Sequence, residues 1–157
     1  MSMTQLERII RESGLEPRAC VLRHLTRTSR AVVANFDAAL SPSGLTGNQF
    51  NVLMALAHRG PLKVNDLAAA IGMHPSTTPR LLAPLKRRRF VGTRTGRDRR
   101  ERLIAITSSG TRALIVAYPS WARVQQHILK RLSDDGWSEA MEVLRSIRES
   151  LPESATK

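Results

Sequence analysis

Apolar residues recur at helical spacing over most of this chain, and only one short stretch alternates with period two. Leu6, Ile9 and Ile10 form a small amphipathic patch broken at Ser13-Gly14. Such an arm either crosses to a partner or frays. After Pro17, the positions Val21, Leu22, Leu25, Val32, Val33, Phe36 and Leu40 predict a long helix to about Leu40. Its apolar residues fall on more than one face, so it must touch both its own lobe and something else. Ser41-Pro42-Ser43-Gly44 ends it, and Thr46 with Gln49 reads as a capping box opening the next helix. There Phe50, Leu53, Met54 and Ala57 follow the i, i+3, i+4, i+7 rule until Gly60-Pro61 stops the helix.

The stretch from Leu62 to Thr107 organises the rest. Leu67, Ala68 and Ile71 predict a short helix with one buried stripe, and Gly72 permits a sharp turn into a second helix. On that helix Leu81, Leu82 and Leu85 face inward, which turns Ser76, Thr77, Thr78 and Arg80 outward near its N-terminus. Hydroxyls, Thr methyls and Arg are the side chains that read base edges in a major groove. Pro79 and Pro84 fall inside this helix, and Pro84 should bend it.

From Phe90 the period changes to two. Phe90 and Val91 open one strand, and Leu103, Ile104, Ala105 and Ile106 form its antiparallel partner. The loop between them carries Arg97, Asp98, Arg99 and Arg100, with Arg94 just before it. A tip so rich in arginine suits a narrow minor groove, where negative potential is focused. Asp98 is expected to pair with a neighbouring Arg and stiffen the tip.

Thr107 then caps a helix from Ser108 to about Arg131, with Ala113, Leu114, Val116, Ala117, Trp121, Val124, Ile128, Leu129 and Leu132 as its stripe. Pro119 should kink it. Ser133-Asp134-Asp135 caps a last helix bearing Trp137, Met141, Leu144, Ile147 and Leu151. The fold class expected is mainly α with a small β-hairpin wing. It comprises an arm and dimerisation helix over 1–44, a winged helix-turn-helix lobe over 45–107, and dimerisation helices over 108–157. The terminal helices of two copies would interleave, presenting two lobes to grooves about 34–36 Å apart on an inverted repeat.

Charge sharpens this picture. The chain has a formal net charge of +12 over 157 residues, and ten of its 25 basic residues lie between Arg80 and Arg102, against only Asp98 and Glu101. So local an excess marks a nucleic-acid surface rather than a general solubility device. Double-stranded DNA is the expected partner. Aromatic residues make up 4% and there is no aromatic-glycine strand motif, which argues against base stacking on a sheet. A basic scaffold that coats nucleic acid without sequence preference is the rival reading. One cysteine, no apolar run of membrane-spanning length and no signal-peptide pattern point to a cytoplasmic protein. No phosphate-binding glycine loop, nucleophile elbow or metal-ligand histidine spacing occurs, so neither an enzyme nor a cofactor or metal is expected.

The run D-R-R-x-x-x-I-x-I-T-x-x-G from Asp98 to Gly110, with the helix-turn-helix before it and L-T-x-x-Q-F-x-V-L from Leu45 to Leu53, resembles the MarR family. The likeness spans from about Cys20 to the last helix and implies a dimeric winged-helix transcription regulator, here read as a repressor. It also exposes departures. Arg89 stands where the family usually has a glycine, at a left-handed position that costs Arg roughly 1–2 kcal/mol. Lys63 stands where a capping hydroxyl is expected, and either meets a phosphate or is simply solvated.

Family members commonly bind aromatic or lipophilic anions between dimer helices and DNA lobe. On placement alone, Arg23, His24, Arg27, His58 and Trp121 are the candidate liners of such an effector site, with surface charge and packed aromatic as the plainer reading of each. Cys20 stands at about the place of the sensing cysteine in the peroxide-responsive branch of the family. Arg18, Arg23 and His24 are its cationic neighbours, but His24 and Ala34 replace that branch's supporting tyrosines. A small buried hydrophobe is the alternative for this cysteine.

Overall fold

The computed structural model describes residues 3–16, 18, 20–96, 98 and 100–151. Contacts divide the chain into two units, Met1–Asn35 and Phe36–Lys157. The first holds α1 (Met3–Ser13) and most of α2 (Val21–Leu40). On α1, Leu6 and Ile9 are exposed, and on α2 so are Val21, Leu22, Leu25, Val32 and Val33.

The second unit begins with the end of α2, where Leu40 is fully buried. A 3₁₀ turn over Ser41–Ser43 closes on Gly44, whose φ of 70° is left-handed. The expected capping box is present: Thr46 accepts from the Gln49 N–H, and Gln49 accepts from the Thr46 N–H. It opens α3 (Gly47–Arg59), which runs through the middle of the lobe and ends at Gly60. Phe50 and Leu53 are buried as expected, with Val52 and Leu56 beside them. Ala57, expected in that stripe, is exposed.

Next come α4 (Val64–Ala70), α5 (Thr78–Arg87), β1 (Val91–Thr95) and β2 (Arg102–Ile106). The hairpin pairs Val91 with Ile106 through Thr95 with Arg102. Leu62 bridges Ile104 on the other side of β2, accepting from its N–H at 2.7 Å and donating to its carbonyl at 3.0 Å. The core gathers Leu40, Phe50, Leu53, Leu56, Leu67, Leu82, Leu85, Val91, Ile104, Leu114 and Ala117 from every element of the lobe. Each such large side chain contributes about 1.5–3 kcal/mol on burial.

α6 (Ser108–Glu149) is capped as expected by Thr107, which accepts from the Gly110 N–H. Its backbone stays helical through Pro119 and breaks instead at Ser133, with φ 60° and ψ 171°. There Ser133 accepts from the Gly136 N–H at 3.3 Å, the cap expected for the last segment. The first part of α6 is held to the lobe by Trp121, which stacks on Phe50 at 5.5 Å between ring centroids.

Candidate nucleic-acid interface

The reading end of the lobe is built on a tight turn. α4 ends at Ile71, Gly72 takes φ 66°, and the Met73 N–H returns to the Ala68 carbonyl at 2.9 Å. His74 then organises the approach to α5. Its carbonyl accepts from the Thr77 N–H at 3.0 Å, the Thr77 hydroxyl at 2.8 Å and the Thr78 hydroxyl at 3.2 Å. Its Nδ1 accepts from the Ser76 N–H at 3.2 Å and lies 2.6 Å from the Ser76 hydroxyl. This histidine was not singled out by spacing, although its position two residues before a serine in a proline turn is a local signal.

Ser76 and Thr77 are exposed in the turn before α5, and Arg80 is exposed in its first turn. Thr78 does not join them. It is fully buried. The helix starts at Thr78, and Thr78, Leu82 and Leu85 stand at i, i+4 and i+7, so the threonine shares the inward stripe. Pro79 sits at the second helical position, where its missing N–H costs no intrahelical bond. Pro84 lies inside, yet α5 remains one helix to Arg87. The carbonyl deprived of its donor belongs to Arg80, an exposed residue open to water.

Just past the cap of α5, Arg89 takes the left-handed φ of 56° expected of a glycine site. Hydroxyls of Thr107 and Ser109 both donate to its carbonyl at 2.7 Å. This pair of bonds holds the strained residue in place. Gly110 completes the junction, because a Cβ there would stand 2.1 Å from the Phe90 carbonyl oxygen.

On the wing, Arg94 is exposed in β1 and Arg100 near the tip. Arg97 and Arg99 lie outside the described residues. Asp98 stiffens the loop through backbone: its carboxylate accepts from the Arg100 N–H at 2.9 Å and its carbonyl from the Glu101 N–H at 2.9 Å. Lys63 meets a carboxylate, with 54% of its side chain still exposed. Its ammonium lies 2.6 Å from the Glu101 carboxylate, tying the start of α4 to the base of the wing. The hydrogen bond and charge of Glu101 raise the Lys63 pKa above its ordinary value.

The residues proposed as sensors divide between the units. Cys20 is exposed in the single chain, just before α2, and the His24 N–H returns to its carbonyl at 3.1 Å. The His24 Nε2 donates to the Arg18 carbonyl at 2.8 Å, while Arg23 and Arg27 are exposed on α2. In the second unit His58 lines an open groove of about 490 Å³ with Asn51, Met54, Ala55, Arg59, Ala70 and Ile71. Trp121 is packed between Phe50 and Tyr118. No cluster of metal-ligating residues occurs among the described residues, and no helix of the described chain is long and apolar enough to cross a membrane.

A helix-turn-helix with exposed hydroxyls in the turn before its second helix and an exposed arginine in that helix's first turn, followed by a cationic hairpin, defines a winged-helix DNA-binding protein. Comparison with known proteins agrees. Residues 43–101 match the model of the MarR family. The chain is 30% identical to the M. tuberculosis transcriptional regulator MosR, solved in complex with DNA, over 83% of this chain and 95% of that one, with a TM-score of 0.73. It is 21% identical to the HTH-type transcriptional regulator YwoH of Bacillus subtilis, over 73% of this chain and 84% of that protein. The fold is also that of PcaV from Streptomyces coelicolor, solved with its natural ligand, at 21% identity, coverages of 87% and 96%, and a TM-score of 0.76. The chain belongs to the MarR family of DNA-binding transcriptional regulators, which are not enzymes.

Proposed function

We propose that the protein is a cytoplasmic, sequence-specific repressor that binds an inverted-repeat operator as a homodimer and leaves it when a small aromatic or lipophilic anion binds. The observation that carries the DNA reading is the shared placement of two cationic elements on one lobe. Ser76, Thr77 and Arg80 are exposed at the start of α5, Arg94 and Arg100 are exposed on the wing, and the sequence of its loop also carries Arg97 and Arg99. The hydroxyls and Arg80 would read base edges in the major groove, and the wing arginines would enter the adjacent minor groove. Asp98 would act indirectly, by shaping the tip.

Dimerisation is supported by apolar residues that stay in water in one chain: Val21, Leu22, Val32 and Val33 on α2, and Ile115, Val116 and Tyr118 on α6. A two-fold interface made from residues 1–44 and 108–157 would cover them, leaving 45–107 as the DNA lobe. For the effector, the groove beside His58 and Arg59 offers an apolar floor with two basic groups at its rim. An anion there must favour the DNA-incompetent arrangement, for which a few kcal/mol of differential affinity is enough.

Selection of duplexes from a random pool, followed by footprinting, tests the DNA reading. An enriched inverted repeat protected in both halves is expected, with Arg94→Ala and Arg100→Ala each weakening binding and lowering its salt slope. Uniform coating without enrichment would instead indicate a scaffold. A second reading, peroxide sensing, rests on the exposure of Cys20. Its thiolate would attack an organic hydroperoxide, becoming a sulfenic acid as the alcohol leaves. Mass spectrometry after hydroperoxide treatment decides it: an unmodified Cys20, with DNA release unchanged, excludes this route.

A further inference from the structure

Four cations in a row, Lys86 to Arg89, close the recognition helix, and by charge alone all four invite phosphate. We infer that Arg88 is instead a positioning residue for DNA recognition: its guanidinium ties the end of α5 to the Gly44 turn and thereby sets the helix's pose. The inference rests on the DNA reading above.

Three observations converge on this side chain. Arg88 is the C-cap of α5, and its Nη1 donates to the Gly44 carbonyl, 44 residues upstream. The guanidinium carbon lies 4.3 Å from the centroid of the Phe90 ring, so one planar face is already covered. Gly44 is left-handed, and the guanidinium nitrogens come within 3.1 and 3.3 Å of where a Cβ would stand. The turn is shaped to admit this group. An arginine that stacks on a ring and donates to a carbonyl exploits its planar fork, which lysine lacks.

The anchor is two-sided. Arg88 binds the turn that ends α2 and precedes α3, while the Arg89 carbonyl is gripped by Thr107 and Ser109 where α6 begins. The C-terminal end of α5 is thus fixed both to the turn after α2 and to the start of α6. The reading end, at Ser76, Thr77 and Arg80, is the other end of a ten-residue helix. At 1.5 Å per residue that is a lever of about 15 Å, so a small rotation at the anchor displaces the groove-reading side chains. Base contacts depend on that pose, and diffuse attraction to phosphates does not.

The test compares Arg88→Gln and Arg88→Lys in the full-length protein, using the duplex enriched by the wild type and a random-sequence duplex as probes. Arg87→Gln, at an exposed neighbour in the same turn, is the comparator. The expected result is a loss of about five- to tenfold on the enriched duplex for both Arg88 variants, with less than about twofold change on random duplex and an unchanged salt slope. Rescue by lysine, retained affinity of both variants for the enriched duplex, or equal losses on both probes with a slope lower by about 0.9 would each overturn the inference in favour of a phosphate contact or no role. Should Arg88→Gln lose its helical circular dichroism, Arg88→Lys alone decides by the same criteria. Failure of the wild type to enrich any duplex would overturn the DNA reading itself, a result distinct from any of these.

Discussion

Arg89 shows how a residue can contradict its local rule and still be held. Its φ of 56° suits glycine, and the two hydroxyl bonds from Thr107 and Ser109 offset the strain. Arg89→Gly should therefore stabilise the fold by about 1 kcal/mol, read as a rise of roughly 2–4 °C in thermal midpoint. Lys63 makes a second prediction. Its pair with Glu101 is largely solvent-exposed, at 54% and 33%, so it orients the wing more than it stabilises the fold. Because Glu101 raises the lysine pKa, the pair's contribution is complete below the ordinary lysine range and vanishes as pH rises through the raised value. An NMR titration should place the Lys63 ammonium above the other lysines, and Glu101→Gln should return it to them. That lysine was legible as an anomaly in the sequence, but its partner, 38 positions away, was not.

Among the elements, the wing and the start of α6 are the most tightly joined. Gly110 lets the first turn of α6 lie against the Phe90 carbonyl, a contact 2.1 Å from any added Cβ. Gly110→Ala should cost about 3 kcal/mol or more, measurable by denaturant unfolding, with the hairpin's backbone signals the first to shift. Element boundaries were well marked by caps: Thr46 with Gln49, Gly60, Gly72, Thr107 and Ser133 all act where the sequence places them. The errors arose from treating residue types singly. Thr78 is a hydroxyl near a helix start, yet its spacing to Leu82 and Leu85 puts it in the core. Pro84 and Pro119 lie within helices that continue through them.

For the whole molecule, the exposed stripes of α2 and α6 make a prediction about assembly. Sedimentation equilibrium should find a dimer, and Leu22→Glu or Val116→Glu should shift it toward monomer, weakening binding to a two-half-site duplex more than to a single half-site. A wild-type monomer would remove the proposed spacing of the lobes. Helical periodicity, capping residues and the local crowding of arginine are written in near neighbours, which is why the class of fold and the DNA-facing hairpin could be read from the chain alone. Which hydroxyl is buried, which arginine turns back onto Gly44 and which acid meets Lys63 depend on residues brought together from distant positions, and only the packed lobe chooses among them.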